Sequence, residues 1–296
     1  MYACANTGSG TDSDFYDKGI RMSLYRPMDP SYYFDPDHLT RLPHADLHVH
    51  TNLSLCADQR LATPQNMCRA AKESGFDTVC FSNHLWDSDV PGASPWYETQ
   101  DFAHVMQIKE QMPHEKDMRL LIGGECEFFT YQGNIFALTE SRVRELDLVL
   151  APHSHSHMTG YVAGEEDCSS IEKQASFLLR SFLAVVKHPL APYIDVVAHP
   201  FAALCNPEWL DCAVDFIDDR SLYDALALAA QKRIAIEVNA GILKNKTEKQ
   251  MKTSGFIRMF RLALKAGCHL TFGSDAHTPG AYEKTLPIVK TLLSQI

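Results

Sequence analysis

Apolar and polar positions along this chain follow two periods, and the switch between them repeats from one end to the other. Residues 46–50 read Asp-Leu-His-Val-His, with Leu47 and Val49 apolar and Asp46, His48 and His50 between them. That period of two predicts a strand carrying both imidazoles on one face. Thr63 then offers an N-cap and Pro64 the first helical position, which predicts a helix over 64–73 stopped by Gly75. Short apolar runs predict further strands over 78–81, 119–122, 146–150, 195–199, 234–239 and 270–273. Helical signals cover 102–111, 170–187, 222–231, 248–266 and 279–296, and Gln132-Gly133-Asn134 centres a hairpin over 128–138.

This amounts to seven strand–helix units with no linker-like break between them. Such alternation implies a largely parallel sheet with helices packed outside it. The polar residues say more. His48 and His50, His84, Glu125, His153, His199, Asn239, and Asp275 with His277 all fall at the C-terminal ends of successive strands. In a barrel those ends converge on one mouth, whereas in an open sheet they would spread along an edge. The pattern therefore predicts an α/β barrel over 41–296, one domain, preceded by a partly ordered polar arm over 1–40.

Composition narrows the setting. A hydrophobic share of 45% and a charged share of 22% are ordinary for a globular chain of 296 residues. No apolar run reaches the length of a membrane span, and residues 1–17 lack the basic and apolar regions of a secretory signal. Nine cysteines without a Cys-x-x-Cys pair read as reduced thiols, and the expected setting is cytoplasmic. A net charge of −10 argues against a broad nucleic-acid surface. It leaves room for a small anionic substrate where metal ions supply the positive charge.

The expected mouth holds more imidazoles and carboxylates than the four ligands of a single zinc ion. The excess suits two to three divalent metal ions (Zn, Mn or Fe) with Glu125 bridging, an arrangement that serves phosphoryl displacement. At this point the chain resembles a known family. The motifs His-Val-His at 48–50, Ser-Asn-His at 82–84, Gly-Gly-Glu at 123–125, Ala-His-Pro at 198–200 and Ser-Asp-Ala-His at 274–277 look like those of the polymerase-and-histidinol-phosphatase (PHP) family. The resemblance spans roughly 42–280.

The resemblance implies a distorted (β/α)7 TIM-like barrel with a trinuclear metal site at the C-terminal ends of the strands. It also implies phosphoesterase activity, with a hydroxide held between ions as nucleophile and histidinol phosphate as the family's best-known substrate. His48, His50, Glu125 and Asp275 match the ligands of one ion. Glu125, a histidine of the fourth-strand motif and His199 match those of a second. His84 and His277 match ligands of a third, and Glu125, Asp275 and His277 stand as the catalytic set.

Three positions depart from the family pattern. Cys56 stands where many members carry a further histidine, with Asp58 two residues on, so a thiolate ligand, a carboxylate ligand and a structural thiol are all open. Asn83 replaces an aspartate before His84, a change expected to act on ligand orientation. The fourth-strand motif offers His153, His155 and His157; spacing favours His153, then His155, and leaves His157 outside. Lys244 and Arg60 are candidates for the substrate phosphate, with solvated surface charges as the alternative. Trp86, Trp96 and Tyr97 either cover the mouth or pack their loop down. The competing functions are a nuclease or nucleotide phosphoesterase, and a metal-binding module without turnover.

Overall fold

The protein is described by a computed structural model over residues 27–296. Its ten strands are β1 (Ala45–Val49), β2 (Thr78–Phe81), β3 (His84–Leu85), β4 (Arg119–Cys126), β5 (Phe128–Phe129), β6 (Ile135–Phe136), β7 (Leu148–Pro152), β8 (Val196–Ala198), β9 (Ala235–Asn239) and β10 (Leu270–Gly273). Seven of them run in the order β1-β2-β4-β7-β8-β9-β10, every neighbouring pair parallel. Val49 bridges to Ala276 in parallel, and Asp275 N donates to His48 O at 2.7 Å, which brings the last strand end back to the first. At the other end of β10, Tyr33 bridges to Thr271 and Phe34 N donates to Leu270 O at 2.9 Å. The result is a nearly closed barrel of seven parallel strands with helices around it.

Two apolar layers fix the strands. Ala45, Leu47, Cys80, Leu121, Leu148, Leu150, Val196, Ala198 and Ala235 fill the barrel together with Tyr32. A second, larger cluster, including Val79, Phe81, Val149, Ala151 and Ile236, packs between the strands and the helices. Burial on both faces is what a parallel sheet requires. The arm expected to end at residue 40 therefore contributes Tyr32 to the barrel interior; its first 26 residues lie outside the described ones.

The helix Pro64–Glu73 starts as the caps predict, with Thr63 Oγ1 accepting from Asn66 N at 3.3 Å. Two expected helices are broken. Residues 102–111 form Phe102–Val105 and Ile108–Gln111. Residues 248–266 form Glu248–Met251 and Gly255–Lys265, the second capped by Ser254. The break lies where the backbone passes Asp211, whose carbonyl oxygen would be 2.6 Å from a Cβ at Gly255.

Two local features aim side chains at the mouth. The pairing of β1 with β2 slips by one residue between Asp46 and Val49. Leu47 consequently faces the barrel interior while Val49 joins Phe81 in the outer layer, and His48 and His50 are turned to the mouth. Re-aiming side chains is the usual consequence of a β-bulge. The second feature is β3, too short to show a period, which pairs with β4 and sets His84 beside Glu125.

Candidate metal centre

Glu125, at the end of β4 and 1% exposed, is the centre of the mouth. Its Oε1 lies 2.8 Å from His199 Nε2 and 3.5 Å from His155 Nε2. Its Oε2 lies 3.4 Å from His48 Nε2, 3.5 Å from His50 Nε2 and 2.9 Å from His84 Nδ1. His48 and His50 bring their Nε2 atoms within 3.1 Å of each other, and Asp275 Oδ1 stands 3.2 Å from His50 Nε2. Beyond them, His277 Nε2 is 3.1 Å from Cys56 Sγ.

These donors fall into three groups whose ligand atoms lie within 4.8 Å of one another: His48, His50 and Glu125; Glu125, His155 and His199; and His50, Cys56, His84 and His277. Imidazole, carboxylate and thiolate are the donors that bind Zn, Mn and Fe ions, so the residues present fit such ions. One carboxylate serves two of the groups.

The other side of five of the six rings is held. Glu237 Oε1 is 2.7 Å from His48 Nδ1, and Glu127 Oε2 is 2.5 Å from His155 Nδ1. Ser54 Oγ lies 3.0 Å from His50 Nδ1 and donates to Asn83 Oδ1 at 2.9 Å. Ser154 Oγ donates to His199 O at 3.0 Å and so accepts from His199 Nδ1, 2.6 Å away. His277 Nδ1 is 2.8 Å from Asp275 O. Holding one ring nitrogen as a donor leaves the other free as a ligand. Asn83 Oδ1 also accepts from Thr51 N at 2.8 Å, so this side chain acts on the His50 ring only through Ser54.

Charge and backbone are both strained here. Burial would raise the Glu125 carboxyl, but the His84 and His48 imidazoles hold it well below the usual range. Asp275 is held low in the same way by His48. Burial also opposes ionisation of Cys56, yet hydrogen bonds from His277 and His84 pull its thiol down to about 6. His199 and Asp275 take positive φ values of 31° and 50°. Non-glycine residues rarely adopt that region, and such strain gathers at functional sites.

Not every expected residue reaches the centre. His155 faces Glu125, and His153 does not. Leu148 and Leu150 point into the barrel, so Val149, Ala151 and then His153 point to the helices, where the His153 ring packs edge-on to Phe182 and Phe201. His153 Nε2 accepts from Phe201 N at 2.9 Å, and burial pushes this histidine down to about 3. Asp58 turns back on its own loop, with Oδ1 accepting from Arg60 N and Leu61 N. Arg60 is exposed and lies outside the cavity; Lys244 and His157 line it. Trp86 is buried and donates to Val90 O, whereas Trp96 and Tyr97 form part of the cavity wall. Asn239 reaches Glu237 and Asp275.

Glu237 and Glu127, both buried and each holding a histidine, were missed as site residues by the sequence reading. Their positions were legible: Glu237 lies two residues before Asn239 on β9, and Glu127 two residues after Glu125, just past the end of β4. Room for Glu237 is made by Gly273, where a Cβ would overlap its carboxylate. The eight described cysteines are all free, and no helix among the described residues is long and apolar enough to cross a membrane.

Three comparisons bear on this architecture. A histidinol phosphate phosphatase from Lactococcus lactis, solved with zinc, L-histidinol and phosphate, superposes with a TM-score of 0.50 at 18% identity, over 85% of this chain and 94% of that one. One chain from the structures described for YwqE of Bacillus subtilis and CpsB of Streptococcus pneumoniae, metal-dependent tyrosine phosphatases, gives 0.38 at 19% identity, over 83% of this chain and 84% of that one. A search of curated proteins finds no match. The sequence profile of the PHP domain matches residues 46–241, and with two-thirds of its length inside that match the chain belongs to the PHP domain family.

Proposed function

We propose that this protein is a metal-dependent phosphoesterase hydrolysing a small phosphomonoester at a di- or trinuclear site. The observation that carries this reading is Glu125, one buried carboxylate whose two oxygens face separate sets of imidazoles. His48, His50, Glu125 and Asp275 would hold one ion, and Glu125, His155 and His199 a second. His84, Cys56 and His277 would hold a third. Bound divalent ions supply Lewis-acid stabilisation of phosphoryl oxygens and lower the pKa of water.

The chain's own residues do the rest. Glu237, Glu127, Ser54 and Ser154 orient the rings, so that little reorganisation accompanies reaction. Lys244, exposed on the cavity wall, supplies a cation for the phosphate. Trp96 and Tyr97 exclude water from one side of the centre. A substrate of the size of histidinol phosphate fits the cavity, which measures about 630 Å³.

Metal content of gently purified protein and phosphate release from a panel of phosphomonoesters form the test. Two to three ions per chain, with release abolished by chelation and restored by Zn²⁺ or Mn²⁺, is the expected result. One ion or none, and no release after metal is added back, would overturn the reading in favour of a module without turnover.

A further inference from the structure

A phosphoryl group occupies only a fraction of a cavity of about 630 Å³, so the outer wall meets the alcohol to which the phosphate is esterified. That wall is made by Trp96, Met158, Leu204, Pro207, Leu210 and Ile242. Among the described residues, the carboxylates lining the cavity are Glu125 and Asp275, and both face imidazoles of the centre. Glu127 is fully buried, with one oxygen 2.5 Å from His155 Nδ1. Asp211 is paired with Lys246 at 2.7 Å. Cys56 also lines the cavity, but its sulfur faces His277 Nε2 at 3.1 Å. Among the described residues, no anionic side chain of the wall is left to neutralise a positive charge.

An ammonium group on the alcohol would then lose its water against apolar side chains without gaining a counter-charge. It would also face an array of divalent cations, a repulsion that low-dielectric walls strengthen. An uncharged ring meets neither cost. Trp96 is fixed edge-on to His84, with centroids 5.0 Å apart, and edge-on to Tyr97 at 4.7 Å. Tyr97 is in turn anchored by its hydroxyl, which donates to Glu127 at 2.6 Å. A rigid aromatic wall of this kind binds a flat apolar group with little entropy to lose.

We infer, on the basis of the phosphoesterase reading, that the substrate is the phosphomonoester of an uncharged, apolar alcohol of aryl or arylalkyl type. Amino-alcohol phosphates, histidinol phosphate among them, are poor substrates of this cavity.

The test compares benzyl phosphate with 2-aminoethyl phosphate and L-histidinol phosphate on the metal-loaded full chain. A kcat/KM advantage of about 100-fold for benzyl phosphate is expected, the scale on which an apolar pocket discriminates. Leu204→Asp places a carboxylate on the half-buried wall and should move the ratio toward the amino alcohols by at least about tenfold. Calorimetry with benzylphosphonate and 2-aminoethylphosphonate reads the same preference without turnover. Amino-alcohol esters turned over as well as benzyl phosphate would overturn the inference, as would the two phosphonates binding equally or not at all. Preferential binding of benzylphosphonate with no hydrolysis of any ester would instead uphold the wall's preference and remove the phosphoesterase reading.

Discussion

Glu237 grips two histidines of the mouth from opposite ends of one carboxylate: Oε1 lies 2.7 Å from His48 Nδ1, and Oε2 accepts the His199 backbone N–H at 2.6 Å. Asn239 Nδ2 adds a third contact at 2.9 Å. His48 and His199 belong to different groups of donors, so this side chain couples the two halves of the centre without facing the cavity.

Glu237→Gln keeps the volume but gives up the charge, and one end of the amide becomes a donor facing another donor. Metal affinity should fall by about 10- to 100-fold, the usual effect of losing such a partner. Titration with Zn²⁺ against a competing chelator measures it. Unchanged affinity at both sites would show that ring orientation is fixed elsewhere.

Cys56 predicts a spectroscopic signature. With Co²⁺ in place of the native ion, a thiolate ligand gives a near-ultraviolet charge-transfer band that imidazole and carboxylate do not. The band is expected in the wild type and should vanish in Cys56→Ser, together with about one ion per chain. Cys56→His should keep the ion and lose the band, because imidazole restores the donor count without sulfur. A Co²⁺-loaded wild type with no such band would remove Cys56 from the ligand set.

How much of this was legible in the sequence follows from what each residue depends on. The barrel was legible because its strands are short apolar runs with polar residues at one end, a local pattern. The ring-facing side of His48 and His50 was read correctly as shared, yet for an incomplete reason: the one-residue slip against β2 decides which side that is, and pairing register is not a local property. His84 was placed at a strand end, but the two-residue strand that sets it beside Glu125 exists only through its partner. Glu237 lies in an apolar run where a carboxylate reads as a solvent-facing alternate; its burial depends on Gly273, far along the chain.

His153 and His155 separate two kinds of loss. The spacing of the fourth strand favours His153, but strand parity turns it toward Phe182; His155 has the same parity, and reaches Glu125 because it lies beyond Pro152, where the strand has ended and the chain has turned. His155→Ala should remove one ion and nearly all turnover with little effect on folding. His153→Ala should leave metal content unchanged and destabilise the fold by about 1–3 kcal/mol, because the Phe201 N–H loses its buried acceptor. Metal analysis and denaturant unfolding of both variants read the contrast. Metal loss in His153→Ala alone would reverse the assignment.

Metal removal should also be felt by the whole barrel. His48, His50, Glu125 and His199 are at most 2% exposed, and they join β1, β4 and the end of β8 at a single point. Without ions, the imidazoles and carboxylates there have only one another to balance their charge in a site with little water. An ion that binds the folded chain and not the unfolded one stabilises it by about 2.7 kcal/mol at a hundred times its dissociation constant. Thermal unfolding should therefore shift downward with EDTA and climb with the logarithm of free Zn²⁺ concentration, the more so because ligands must deprotonate to bind. Calorimetric scans at several free metal concentrations supply the measurement. A Tm indifferent to chelator would mean that these residues form a self-sufficient hydrogen-bonded cluster, and the metal assignment would fall with it.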